Sequence, residues 1–333
     1  MKFRSKCQFR SILSMIDLTM KAIRITPSPL DETSYDLFQV FWKNSLSGSA
    51  ILEAGISSHW AKFLSQSYVI QNEHGYEVKI EGLASFLKYS QLNRIKYSIL
   101  QAQLYFLGKL NGVSIRELLT FSRKLHSIGR LLDFDIVKHF IIEAKLSHFL
   151  DFQKKQICII GDGWGNFGQI LKSLYPSSSI TFLNLGKNLF FDSLITNKLF
   201  PNSHHSFLDP SMSQELSMDF NYATNKESLA DSKFDLVINI ASFSEMNLST
   251  IQEYYSWIGA HLNSGGFFYH CNRETKFLVD GSKISIQEFP IELLNAQEIF
   301  SDHCEWYSRY PTGRIPLFKP FDGRFREFLY KFG

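Results

Sequence analysis

The chain has 333 residues, of which 44% are hydrophobic and 15% aromatic, so it is long enough to bury a large core and to form more than one packed region. Its 35 Lys and Arg residues nearly balance 32 Asp and Glu residues, and a net charge of +3 gives no basis for nucleic-acid binding. The sequence holds no run of roughly 18 apolar residues, which excludes a typical transmembrane helix.

The first 25 residues are basic and amphipathic. Six Lys and Arg residues stand against one acid, Asp17, and apolar residues lie between them from Ile12 to Leu18. The segment has no unbroken apolar core and no small-residue cleavage site, so a signal peptide is not predicted. Two interpretations are open: peripheral contact with an anionic membrane surface, and a packed helix, which we favour.

Residues 1–150 are predicted to form a helical N-terminal or lid region. From about Ser34 to Leu150, apolar residues recur at spacings of three and four. Ser114 and Glu117 have the spacing of a capping box, which starts a helix. The segment Arg130–Phe140 leads into a further helix that continues to the end of this region.

Residues 151–333 are predicted to form an α/β domain, because short apolar runs alternate there with helical stretches. Five parallel strands are predicted near Gln156–Ile160, Ile180–Leu185, Asp219–Ala223, Phe234–Ile240 and Phe267–Cys271. Helices are predicted to begin near Asn166, Phe190, Thr250 and Pro290, and the fourth to run to Phe300. Two closing strands, forming a terminal antiparallel hairpin, are predicted at Trp306–Tyr310 and Phe325–Tyr330.

A glycine-rich loop follows the first of these strands. Gly161, Gly163 and Gly165 stand between an apolar run and a helical one, where glycine lets the backbone turn sharply and a ligand approach closely. The spacing Gly163-x-Gly165-x-x-Gly168 matches the dinucleotide fingerprint, and Gly161-x-Gly163-x-Gly165 matches the S-adenosylmethionine loop of class I methyltransferases. The loop alone leaves both cofactors open.

Two later segments favour the second cofactor. The strand Phe234-Asp-Leu-Val-Ile-Asn239 and the turn Leu262-Asn-Ser-Gly-Gly266 resemble class I S-adenosylmethionine-dependent methyltransferases. More narrowly, Asn239-Ile-Ala-Ser-Phe-Ser-Glu-Met246 and Asn272-Arg-Glu274, after the approach that begins at Arg130, resemble the sugar O-methyltransferases of bacterial surface-polysaccharide clusters. The resemblance covers roughly residues 130–274.

This resemblance implies a Rossmann-like class I methyltransferase sheet and S-adenosylmethionine as cofactor. It further implies a sugar or glycan hydroxyl as acceptor, whether free, nucleotide-linked or lipid-linked, in polysaccharide or glycoconjugate biosynthesis. Four widely spaced cysteines without a Cys-x-x-Cys pair predict reduced thiols in a cytoplasmic protein and no structural zinc. The sequence is compatible with a homo-oligomer.

The resemblance also implies which residues bind the cofactor: Gly161, Asp162, Gly163, Trp164, Gly165, Asn184, Leu185, Ala223, Asn239, Ala241 and Ser242. Asp162 is expected to receive the methionine ammonium and Asn184 the ribose. The chain departs from the family pattern in two places. Ile159 stands where an acid precedes the first glycine, and Asn184 replaces the acid that ends the second strand.

Methyl transfer to a hydroxyl needs in-line placement and usually a general base. Glu245, just beyond the fourth strand, is the first candidate, with helix capping as its alternative role. His270 is the second candidate, although a histidine inside an apolar strand is more often a packed residue. Substrate contacts are expected from Phe243, Asn272 and Arg273.

One excluded metal site and two alternative functions accompany these predictions. The pair His204-His205 lacks an acidic or cysteine partner at ligand spacing, so no metal site is predicted. The departures at Ile159 and Asn184 favour a non-catalytic binding or scaffold protein with a methyltransferase fold. The overlapping glycine fingerprint favours an NAD-dependent oxidoreductase.

Overall fold

The computed structural model describes residues 68–72, 75–79, 93–128, 130–208, 215–278, 281–312, 318–321 and 323–333. The basic segment of the first 25 residues therefore lies outside the described residues. By their contacts the described residues fall into two compact units. The first unit contains the described residues of Gly82–Leu150 and Pro311–Lys319. The second unit contains the described residues of Pro29–Glu81, Asp151–Tyr310 and Pro320–Gly333. The division of the whole chain into 1–150 and 151–333 stays a prediction.

Three helices make up most of the first unit. They are α1 (Asn93–Leu110), α2 (Ile115–Ser127) and α3 (Phe134–Leu146). The Ser114 side chain accepts from the Glu117 backbone N–H at the start of α2, as the capping pattern predicted. At the start of α3, Asp133 accepts from the Ile136 backbone N–H at 2.9 Å. Local capping thus sets where the second and third helices begin.

An antiparallel hairpin lies inside the range that the spacing predicts to be helical. Its strands are β1 (Tyr68–Asn72) and β2 (Gly75–Lys79), paired from Tyr68 with Lys79 to Asn72 with Gly75. The helical prediction is wrong here. The run Tyr68-Val-Ile70 is rich in aromatic and β-branched residues, and Gly75 follows closely, a combination that favours a strand and a turn.

The second unit is built on an eight-stranded sheet. Its strands in chain order are β3 (Gln156–Ile160), β4 (Ser179–Leu183), β5 (His205–Leu208), β6 (Phe220–Ala223), β7 (Phe234–Ile240), β8 (Leu262–Arg273), β11 (Ala296–His303) and β14 (Phe325–Phe332). Short strands also occur at β9 (Thr275–Phe277), β10 (Lys283–Ser285), β12 (Arg309–Pro311) and β13 (Phe318–Pro320). The helices of this unit are α4 (Asn166–Leu174), α5 (Gly186–Leu199) and α6 (Leu248–His261).

The strand order across the sheet is β11-β14-β8-β7-β3-β4-β6-β5. The adjacent strands β8-β7-β3-β4-β6-β5 all pair in parallel, and β14 runs antiparallel to both β8 and β11. The predicted α/β fold class, a sheet with five parallel strands and an antiparallel end, is confirmed, with β5 as one additional parallel strand. The predicted terminal hairpin is wrong, because the strand near Trp306–Tyr310 is only β12, which pairs with β13 and not with β14. The prediction missed β5 because it has only four residues beside a polar loop.

The partner of β14 differs from the prediction. The helix predicted from Pro290 to Phe300 is wrong, because a short 3₁₀ turn at Ile291–Leu294 gives way to β11. Asn295, in the left-handed region at φ 45°, ends the turn. Pairing along β14 satisfies the β11 backbone, and this long-range interaction overrides the local helical spacing.

The strand order positions the candidate site. The chain leaves β3 to form β4 on one side and later returns to form β7 on the other, so neighbouring connections diverge at the carboxyl end of β3. Open α/β sheets bind ligands at such a point, where the diverging connections leave a crevice. The loop from Gly161 to Gly165 lies there, between β3 and α4.

Candidate functional site

The glycine loop lies directly against the end of β7. Gly161, Gly163 and Gly165 have φ values of 72°, 78° and 67°, in the region that favours glycine. A Cβ atom on Gly161 would lie 2.4 Å from Ser242 Oγ, and one on Gly165 would lie 2.8 Å from Gln169 Nε2. The loop is thus a close-packed backbone cradle that cannot accept side chains at these two positions without rearrangement.

Asp162 closes the N-terminus of α4. Its carboxylate accepts from the Phe167 backbone N–H at 3.1 Å and from that of Gly168 at 2.9 Å. The side chain is only partly buried, so the charge remains next to the loop. The amides that an anionic ligand would use at this helix therefore already bind a carboxylate.

Gly168 has a packing role. A Cβ atom there would lie 2.5 Å from the ring of Phe182 on β4, so α4 can pack this closely on the sheet only with glycine at this position. The match to the dinucleotide spacing is explained by this helix–strand contact, which does not require a dinucleotide.

Asn184 follows β4 and is held by an acid that the sequence analysis missed. Its Nδ2 donates to Asp192 Oδ2 on α5 at 2.8 Å, and its Oδ1 accepts from the Leu185 backbone N–H at 2.9 Å. Asn188, Asp192 and Thr196 are buried polar residues spaced by four along α5. That repeat, which places three polar residues on one face of the helix, is the sequence signal that could have identified Asp192.

Polar side chains connect the carboxyl ends of β3, β7 and β8. Asn239 donates to the Ile160 carbonyl at 3.1 Å and to Ser242 Oγ, and it accepts from Asn272 Nδ2 at 2.9 Å. Asn272 in turn accepts from the Ser244 backbone N–H at 3.1 Å. Because both asparagines are fully buried, they fix the edge of the sheet internally.

Ala241 adopts a backbone conformation that alanine rarely takes. Its φ is 65°, and its N–H donates to the Cys271 carbonyl at 2.7 Å. Left-handed φ costs a non-glycine residue about 1 kcal/mol, so the surrounding hydrogen bonds must hold this turn in place. Ala241 and Ser242 are both partly exposed beside the glycine loop, where the sequence predicted small cofactor-contacting residues.

Two predicted site residues lie in the core. Phe243 is fully buried against Tyr254 and Phe268, so the structure does not place it where it could contact a substrate. His270 is fully buried, and its ring stacks on Phe328 at 4.9 Å between centroids. Among the residues that the structure describes, neither His270 ring nitrogen has a hydrogen-bond partner, and burial lowers the pKa of His270 to about 3. A histidine that lies away from the site edge and stays neutral is not a candidate base.

The buried imidazole makes stability depend on pH. The pKa of His270 falls from 6.5 in the unfolded chain to about 3 in the folded protein. Below pH 6.5 the unfolded chain therefore takes up a proton that the folded protein does not, and the free energy of unfolding decreases as the pH falls toward 3. His270→Phe removes this dependence and both unpaired nitrogens. The difference in unfolding free energy, variant minus parent, should be about 2–3 kcal/mol larger at about pH 4.5 than at about pH 7.5.

Urea unfolding of parent and His270→Phe at both pH values checks this expectation. His139 in α3 also has a pKa lowered to about 3 by burial, so the parent should retain a second acid-sensitive term that the variant shares. A constant difference between the two proteins across the pH range would contradict the buried, neutral state of His270.

Glu245 lies at the carboxyl edge with a partner that the sequence analysis did not identify. It ends the 3₁₀ turn Phe243–Glu245, and its Oε1 accepts a hydrogen bond from Lys276 Nζ on β9 at 2.5 Å. Both side chains are partly exposed. This ion pair orients one carboxylate oxygen inward, and Oε2 is the other proton-accepting atom of the carboxylate.

Arg273, the last residue of β8, lies on an aromatic platform. Its guanidinium is 4.5 Å from the centroid of Phe321 and 5.5 Å from that of Phe325. Contacts of this kind restrain the flat guanidinium group. Arg273 is thus held at the same sheet edge as Glu245.

The remaining predicted cofactor residues vary in exposure. Trp164 is partly buried and packs on Phe191, with ring centroids 5.2 Å apart. Leu185 is exposed. Ala223, at the end of β6, is fully buried, and its carbonyl accepts from the Asn184 backbone N–H at 3.1 Å. Trp164 and Leu185 are therefore at least partly accessible to solvent, whereas Ala223 is packed in the core at the end of its strand.

His205 has a structural role. Its Nδ1 is 2.9 Å from the Tyr222 hydroxyl, and its Nε2 is 3.1 Å from the Phe200 carbonyl. Both ring nitrogens are therefore used within the protein. In the part of the chain that the structure describes, no group of three His, Cys, Asp or Glu side chains could hold a metal ion, and no helix is apolar enough over sufficient length to cross a membrane.

No family model and no curated protein sequence matches this chain. Among solved structures, magnesium protoporphyrin IX methyltransferase from Synechocystis PCC 6803 with bound SAM is 7% identical, with a TM-score of 0.42, over 60% of this chain and 80% of that chain. A S-adenosylmethionine-dependent methyltransferase from Clostridium acetobutylicum ATCC 824 is 13% identical, with a TM-score of 0.38, over 61% and 93%. StiE O-MT residues 961–1257 are 13% identical, with a TM-score of 0.38, over 57% and 73%. At these identities and TM-scores, the similarity assigns neither a substrate nor an activity to this chain.

Proposed function

We propose that this protein is an S-adenosylmethionine-dependent O-methyltransferase whose acceptor is a hydroxyl of a sugar or glycan. The observation that carries the proposal is the carboxylate of Asp162, which occupies the first-turn amides of α4 beside the glycine loop. The resemblance of Asn239–Met246 to the sugar O-methyltransferases supports the choice of acceptor.

The position of Asp162 argues against a dinucleotide. A pyrophosphate binds the N-terminal amides of the first helix, where the helix dipole favours negative charge. Here the Phe167 and Gly168 amides already bind a carboxylate, which would repel phosphate. S-adenosylmethionine instead carries a positive sulfonium and an ammonium, and the same carboxylate attracts both charges.

The residues of the loop fit this cofactor. The backbone of Gly161–Gly165 turns through positive φ values, and the small side chain of Ser242 lies so close that a Cβ at Gly161 would meet it. Asn184, one strand away, offers an amide to ribose hydroxyls. When bound, the cofactor supplies a methyl group activated by its sulfonium.

The chain supplies placement and proton removal. An acceptor hydroxyl at the carboxyl edge would give its proton to the Glu245 carboxylate. Lys276 holds that carboxylate through the Oε1 hydrogen bond. Arg273, restrained on Phe321, would hold other hydroxyl or acidic groups of the acceptor. The three described cysteines are buried thiols that form no disulfide among the described residues, which supports a cytoplasmic location.

Isothermal titration with S-adenosylhomocysteine, and separately with NAD⁺, tests the proposal. We expect micromolar S-adenosylhomocysteine binding, about −8 kcal/mol, and no heat from NAD⁺ because Asp162 repels its pyrophosphate. Binding of NAD⁺ alone would favour the oxidoreductase. Binding of S-adenosylhomocysteine without methyl transfer to any member of a panel of methyl glycosides and nucleotide sugars would favour the scaffold protein.

A further inference from the structure

The carboxyl group of Asp192 is buried without the partners that such a group normally needs. The residue is fully buried on α5, and its Oδ1 has no hydrogen-bond partner in the described part of the chain. Burial raises its pKa well above the ordinary value, and the nearby Asp162 raises it further. A buried carboxyl group with one unpartnered oxygen destabilises a fold, so its presence calls for a compensating role.

The contacts of Asp192 point to that role. Oδ2 accepts from Asn184 Nδ2 at 2.8 Å, and the Gly165 backbone N–H also interacts with the carboxyl group. Asn184 and Gly165 belong to two different loops, one after β4 and one after β3. Asp192 therefore connects the residue expected at the ribose to the loop expected at the methionine end.

The hydrogen bond also fixes the orientation of the Asn184 amide. A carboxyl oxygen opposite Nδ2 selects the rotamer in which Oδ1 accepts from the Leu185 N–H. One Nδ2 hydrogen and one Oδ1 lone pair are then left over. Together they form a donor and an acceptor spaced for two neighbouring hydroxyls.

We propose that Asp192 is a positioning residue for the cofactor ribose, acting through Asn184, so that an amide held by a buried acid replaces the acid usually found at the end of the second strand. This inference rests on the proposed function. It explains why the chain tolerates Asn184: the amide alone would rotate, whereas the pair presents a fixed donor and acceptor. It also gives a reason for an otherwise costly buried carboxyl group.

The test compares S-adenosylhomocysteine with its 2′,3′-dideoxy analogue by isothermal titration. In the parent the analogue should bind about tenfold or more weakly, since two ribose hydrogen bonds are lost. In Asp192→Ala, S-adenosylhomocysteine should weaken about tenfold while the analogue changes little, so the ratio of the two Kd values falls toward one. Asp192→Asn should restore the parental ratio, because its amide oxygen still accepts from Asn184.

Two further variants separate positioning from general stability. Asp192→Leu fills the buried space but offers no hydrogen-bond acceptor, so its ratio of the two Kd values should also fall toward one. It serves as the test variant if Asp192→Ala does not fold. Thr196→Val removes a buried hydroxyl one turn along the same helix, where Thr196 accepts from Gln169 Nε2 at 3.0 Å. It should lower Tm and leave the Kd ratio at the parental value.

The outcomes distinguish the two levels of inference. A parent that binds S-adenosylhomocysteine, together with a folded Asp192→Leu variant that keeps the parental ratio, overturns the role of Asp192 and leaves the proposed function intact. Equal loss of both ligands in Asp192→Leu and Thr196→Val has the same meaning. A parent that does not bind S-adenosylhomocysteine overturns both.

Discussion

Gly161→Ala is expected to weaken S-adenosylhomocysteine binding by at least about 100-fold, a loss of about 2.7 kcal/mol in binding free energy. The new Cβ would lie 2.4 Å from Ser242 Oγ and 2.5 Å from Ser242 Cβ, so the loop and the end of β7 cannot both keep their positions. The φ of 72° adds about 1–2 kcal/mol of backbone strain for an L-residue. Isothermal titration measures the binding loss, and thermal unfolding measures the strain.

Gly265→Ala is the matched control. Gly265 also has a positive φ, 75°, but a Cβ there meets nothing within 4 Å. It should cost about 1–2 kcal/mol of stability and leave the Kd unchanged. Ser242→Gly added to Gly161→Ala should recover part of the lost stability by removing the clash. Unchanged binding in folded Gly161→Ala would show that the ligand does not use this loop.

Glu245→Gln is expected to lower kcat by about 10²–10⁴-fold, since an amide cannot accept the hydroxyl proton. The neutral amide can still accept from Lys276, so the turn and the Kd for S-adenosylhomocysteine should change little. The measurement is the rate of S-adenosylhomocysteine release with whichever methyl glycoside or nucleotide sugar the parent methylates.

Glu253→Gln is the matched control for loss of a carboxylate. Glu253 accepts from Lys226 at 2.8 Å, so it is ion-paired as Glu245 is, but its side chain is more exposed and lies on α6. Its replacement should leave kcat within about twofold, because exposed ion pairs contribute at most about 1 kcal/mol. Equal rates for parent and Glu245→Gln would remove Glu245 as the base and leave acceptor placement as the main source of catalysis.

Much of the fold could be predicted from local pattern. Both β3 and β7 have the bounds that their apolar runs predicted, because strands covered on both faces of a parallel sheet read as continuous apolar segments. The start of α4 at Asn166 was predicted for a similar reason, since a glycine loop that follows such a strand is a local signal. Sequence neighbours suffice to define each of these elements.

The candidate site was only partly predictable. The glycine loop and Glu245 follow from their positions after strands, and Arg273 follows from the end of β8. His270 and Phe243 were misplaced because the sequence does not reveal that α6 and β14 cover them with aromatic rings. Two polar partners of the site lie outside the motifs that predicted it: Asp192 is in the helix that follows Asn184, and Lys276 is on the short strand β9, far along the chain from Glu245.

By itself the sequence determined an α/β domain with a glycine loop at the end of its first strand, because hydrophobic period and glycine content act over a few neighbouring residues. Only the tertiary structure decided that β11 is a strand and which polar groups of β3, β7 and β8 meet at the sheet edge. These outcomes depend on hydrogen bonds and burial between segments that are distant in the chain. The same local sequence is compatible with other partners until the sheet brings those segments together.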